Sequence, residues 1–80
     1  MPLTRKESNM DNEIFEGWTA RDFIRELEPV LDLIQSGNSW RSPIKTKAEL
    51  KEWTINNQPY YNKPIPAVIN YFAKKYGITK

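Results

Sequence analysis

The sequence predicts an all-α fold, a small three-helix domain, and three observations carry that expectation. Apolar residues recur at the helical period in three separate stretches. Cap and stop residues stand at the ends of those stretches, and no segment shows the strict alternation of a half-buried strand. The helices are expected at about 19–36 (kinked near Pro29), about 46–56 and about 65–76. Residues 1–12 lack periodicity and have little to bury, so a disordered tail is expected there, followed by a single helical domain over 13–80.

The first helix has the fullest set of signals. Thr19 is a natural N-cap, and Asp22 stands three positions later, where a carboxylate can accept from the free N–H groups of the first turn. Trp18 and Phe23 have the spacing of a hydrophobic staple. Ala20, Phe23, Ile24, Leu27, Val30, Leu31 and Ile34 then form one apolar face, and Gly37 can take the left-handed conformation that stops a helix. Pro29 interrupts the hydrogen-bond ladder, at a cost of about 3 kcal/mol in a helix interior. The apolar face runs through it unbroken, which favours one kinked helix over two short ones.

Residues 37–45 are rich in turn formers. In the second helix, Thr46 and Glu49 have the spacing of a capping box, and Leu50 and Trp53 face inward. The segment Gln58–Pro66 holds three prolines and two tyrosines, and is expected to be extended and partly solvated. Pro64 and Pro66 suit the first turn of the third helix. Its apolar face is Ile65, Val68, Ile69, Phe72 and Tyr76, its last turn carries Lys74 and Lys75, and Gly77 can cap it, with Ile78 folding back toward Phe72 or Ala73.

Composition excludes more chemistry than it suggests. The chain of 80 residues has neither cysteine nor histidine, so it has no disulfide, no thiolate or imidazole metal ligand, and neither of the side chains that acid–base and nucleophilic catalysis most often recruit. Glu26, Glu28, Asp32, Glu49 and Glu52 fall on polar helix faces, as a solvated surface would. No glycine-rich phosphate loop or other catalytic motif is present. The expectation is therefore a non-enzymatic protein with no metal and no cofactor. No apolar segment is long enough to cross a bilayer and no secretory leader is evident, so a cytoplasmic protein without membrane association is expected.

Charge is divided along the chain. Residues 1–40 carry four basic and eight acidic side chains, net −4, whereas residues 41–80 carry eight basic and two acidic ones, net +6. Either the halves neutralise each other within the fold, or the basic half meets an anionic partner. Trp40, Arg41, Lys45 and Lys51, with Tyr60, Tyr61 and Lys63, combine aromatic and cationic groups in the manner of a protein-binding hot spot. The same residues with Lys47, Lys74 and Lys75 would suit single-stranded nucleic acid. The competing structural reading places Trp40 and Trp53 in the core, and makes the QPYYNKPIP segment a rigid linker whose tyrosines cover the core edge. The connections between helices are too long for a helix-turn-helix. Leu33 and Ile55 leave apolar surface that a homodimer would bury. The expected function is an interaction module that binds another protein, of the small accessory type found in bacteria, phages and plasmids, with nucleic-acid binding as the alternative.

Overall fold

The structure, a computed structural model, describes residues 12–80. The expected disordered tail lies, apart from Asn12, outside the described residues. Five elements follow: β1 (Glu13–Phe15), β2 (Trp18–Thr19), α1 (Ala20–Gln35), α2 (Lys47–Asn57) and α3 (Pro66–Tyr76). The fold is mostly helical, but the all-α expectation needs one correction. β1 and β2 pair antiparallel, with Glu13 opposite Thr19 and Phe15 opposite Trp18. Glu16 and Gly17 join them with φ of 51° and 83°, the left-handed pair that a two-residue hairpin turn of type I′ demands. Gly17 is thus a hairpin residue.

The hairpin feeds α1 with no intervening loop. Thr19 ends β2 and caps α1: its Oγ1 accepts from the Asp22 N–H at 3.3 Å, and Asp22 Oδ2 accepts from the Thr19 N–H at 2.9 Å. The Trp18 and Phe23 rings lie 5.1 Å apart, completing the staple. α1 continues through Pro29 as one helix. Both Arg25 and Pro29 are exposed, so the carbonyl that Pro29 leaves without a donor is on the solvent side. Val30 departs from the expected face and is 49% exposed. A Schellman motif ends the helix: Gly37 N–H donates to Ile34 O at 3.2 Å and Asn38 N–H to Leu33 O at 2.9 Å.

α2 is capped by Thr46, whose Oγ1 accepts from the Glu49 N–H at 3.1 Å. The other half of the expected capping box does not form, because Glu49 Oε1 accepts from the Lys45 N–H instead, at 3.1 Å. Gln58 ends α2 in an extended conformation, ψ 144°, as a residue before proline prefers. The segment from Gln58 to Pro66 is solvated in part, as expected, but Gln58 itself turns inward. Its side chain is buried, and Nε2 donates to the carbonyls of Tyr61 at 2.7 Å and Lys63 at 2.6 Å. The carboxamide thereby shapes the whole connection to α3. That helix opens at Pro66 and closes at Gly77 (φ 69°), where Ile78 N–H donates to Ala73 O at 2.8 Å.

α3 packs against both α1 and α2. The core comprises Phe23, Leu27 and Leu31 of α1, Leu50 and Trp53 of α2, and Val68 and Phe72 of α3, joined by Ile44, Ile65 and Ile78 from the connections. Phe15, Trp18 and Tyr61 cover the end nearest the hairpin. The Tyr61 ring lies 5.5 Å from Phe15 and 6.3 Å from Phe23.

Candidate functional site

The connection between α1 and α2 is where the fold exposes what the core would ordinarily claim. Trp53 is buried, as a short chain requires, but Trp40 is 96% exposed. It makes no ring contact or side-chain hydrogen bond among the described residues. The placement of Trp40 in the core is thus overturned, and the reason is local. The Schellman motif turns the chain away from α1, and the chain returns to the core only at Ile44, which is 2% exposed.

This loop is fastened at both ends. The Gln35 side chain bridges its neck, with Nε2 donating to Ile44 O at 3.0 Å and Oε1 accepting from Ile44 N–H at 2.7 Å. On the far side, Glu49 Oε1 holds the Lys45 N–H while Oε2 pairs with Arg41 Nη2 at 3.5 Å. Arg41 therefore lies along α2, beside a shallow groove lined by Glu49, Glu52, Trp53, Asn56 and Asn57. Its Nη1 is buried and has no acceptor among the described residues. Nothing in the helical periodicity points to Gln35, because its role depends on a contact nine residues ahead.

The other expected site residues do not gather into one patch. Lys45, Lys47, Lys51 and Lys63 are exposed. Tyr61 is half-buried against Phe15 and Phe23. Tyr60, with φ 64° and 74% exposure, meets the edge of Trp18 at 5.6 Å. Both tyrosines thus meet the hairpin end, where Tyr61 covers the core edge and Tyr60 stays largely exposed, and none of their ring contacts involves Trp40.

Lys74 is exposed, whereas Lys75 is engaged across the α1–α3 seam. Its Nζ lies 2.6 Å from Glu28 Oε2 and 3.1 Å from Asp32 Oδ1. Tyr71 donates to Glu28 at 2.8 Å, and the Tyr76 hydroxyl donates to Asp32. Lys75 and Tyr71 hold the Glu28 carboxyl below its usual range, and Tyr76 followed by Lys75 does the same for Asp32. The Lys75 ammonium is correspondingly harder to deprotonate, chiefly through Glu28. Burial, then the bond to Asp32, raises Tyr76. Here acidic and basic halves of the chain neutralise each other.

Among the described residues no cluster of three or more acidic side chains could hold a metal ion, and no helix is long and apolar enough to cross a membrane. Compared with protein families, curated proteins and solved structures, the chain matches none.

Proposed function

We propose that this protein is a non-enzymatic interaction module that binds another protein through the loop between α1 and α2, with Trp40 as its central contact and Arg41 and Lys45 beside it. The observation that carries this reading is a tryptophan 96% exposed on a loop pinned at its neck and flank. Burying a large aromatic side chain contributes about 1.5–3 kcal/mol or more, and this fold leaves that contribution unused. Pinning lowers the entropy that a partner must remove from the loop on binding. Tryptophan and arginine are also the residues that most often dominate binding energy. Arg41, with one nitrogen on Glu49 and another without an acceptor, adds a donor that a partner's carboxylate could engage after a small shift.

Co-purification of the full chain from its native host, in parallel with Trp40→Ala, tests the reading. A protein retained by the wild type and lost with the variant supports it, and equal retention by both refutes it. A titration with generic single- and double-stranded DNA and RNA at low salt covers the nucleic-acid alternative. Tight binding that falls steeply as salt rises would replace the protein-binding reading with that one. The engagement of Lys75 with Glu28 and Asp32 weighs against it, because that cation is already partnered.

A further inference from the structure

The face of α2 turned away from the core carries a pattern that the Trp40 loop does not use. Leu50, Trp53 and Thr54 anchor α2 inward. At the helical period, positions 48 and 55 fall on the opposite side. Ala48 is exposed there and Ile55 is only half-buried. With Lys51, Glu52 and Asn56 they line a shallow groove of about 270 Å³. Lys51 stands to one side of the Ala48–Ile55 line and Glu52 to the other. Neither has an ion-pair partner among the described residues.

We propose that this face is a self-association site, at which two copies of the chain pair α2 with α2 in parallel about a two-fold axis. That symmetry sets Ile55 against Ile55 and Ala48 against Ala48, and it brings Lys51 of each copy beside Glu52 of the other. Two ion pairs then flank a small apolar seam, as charged positions flank the seam of a parallel coiled coil. An antiparallel two-fold pairing would keep each flank on its own side and oppose Lys51 to Lys51 and Glu52 to Glu52. Charge therefore selects the parallel arrangement. The pairing rests on α2 alone and stands or falls apart from the Trp40 reading.

The area bounds its strength. An 11-residue helix is about 16 Å long, so the pair covers on the order of a few hundred Å² per copy, below the roughly 800 Å² per partner of a standard stable interface. The dimer belongs to the weak, concentration-dependent class.

Sedimentation equilibrium of the full chain, taken to millimolar concentration at low ionic strength where exposed charges are least screened, tests the proposal. The wild type should associate. Lys51→Glu and Glu52→Lys, each alone, should weaken association by up to about tenfold, since both flanking pairs turn repulsive. Mixing those two variants, or combining the changes in one chain, should restore it. Since the chain has no cysteine, Ala48→Cys reports orientation directly. Parallel pairing permits a disulfide between copies, whereas antiparallel pairing separates the two sulfurs by about 10 Å along the axis, beyond disulfide reach. All of these positions are solvent-facing, and circular dichroism should confirm an unchanged fold. A wild type that stays monomeric overturns the proposal, as does a dimer indifferent to both charge reversals, or one that Ala48→Cys cannot cross-link. Association abolished by Leu33→Lys but not by the charge reversals would move the contact to the exposed Val30–Leu33 strip of α1 and would equally overturn it.

Discussion

The seam between α1 and α3 and the rim formed by the 36–46 loop with α2 are built from similar residue types and treat them in opposite ways. On the seam, Lys75, Tyr71 and Tyr76 reach across from α3 to Glu28 and Asp32 on α1, above a layer containing Phe72 and Leu27. On the rim, Trp40 is left in solvent, Lys51 and Glu52 have no ion-pair partner among the described residues, and hydrogen bonds are spent on fixing the backbone instead. The contrast teaches that the division of charge along the chain has no single meaning. Part of it closes the fold, and part remains available for contact.

The comparison breaks first if the seam is dispensable. Phe72 is fully buried, and Phe72→Ala should cost about 3–5 kcal/mol. That equals the net stability to be expected of a core this small, so the variant should lose its cooperative thermal transition by circular dichroism. On the rim the order of effects reverses. Trp40→Ala should leave urea stability within about 0.5 kcal/mol of the wild type. It should nevertheless weaken binding of the co-purified partner by about 2 kcal/mol or more, roughly 30-fold, read by calorimetric titration.

Gln35→Ala sharpens the distinction between presenting a residue and being one. It removes both bonds to Ile44 and should cost about 1–2 kcal/mol in chemical denaturation. Partner affinity should also fall several-fold although Trp40 is intact, because the loop is then ordered only on binding. Thr19→Ala, which deletes the cap at the junction of hairpin and helix, should cost about 1 kcal/mol and leave binding unchanged.

The smallest effect is the pH response of the seam. Glu28 and Asp32 have carboxyls held below their unfolded values. Their contribution is therefore complete above the ordinary carboxylate range near pH 4 and is lost as pH falls through the lower, folded values. Asp32 is exposed and Glu28 half-buried at the protein surface, so the loss should be modest, about 1 kcal/mol or less. Denaturation midpoints for the wild type and Glu28→Gln should differ at neutral pH and converge in acid.

Much of the helical architecture is readable in the chain because its cues are local. The staple of Trp18 and Phe23, the caps at Thr19 and Thr46, and the stops at Gly37 and Gly77 all act within a few residues. The hairpin escapes that reading because strands of three and two residues are too short to show alternation. Its one signal is Glu16-Gly17, set between Ile14-Phe15 and Trp18-Thr19. The half-formed capping box escapes it too, since Glu49 has two claimants and the loop's Lys45 N–H wins. Of the candidate site, residue type alone singles out Trp40 and Arg41, but neither the exposure of one nor the tethering of the other follows from spacing. Both depend on where Gln35 and Ile44 meet. Tyr60 and Tyr61 carry the same composition signal and are drawn to the hairpin by aromatic neighbours far away in sequence.

The three tryptophans allow the most direct test, since they occupy the hairpin, the rim and the core. Fluorine NMR of protein labelled with 5-fluorotryptophan, assigned by single Trp→Phe variants and titrated with the co-purified partner, should show the Trp40 resonance shifting while those of Trp18 and Trp53 hold still. A partner that shifts Trp18 or Trp53 and leaves Trp40 unmoved would contradict the account.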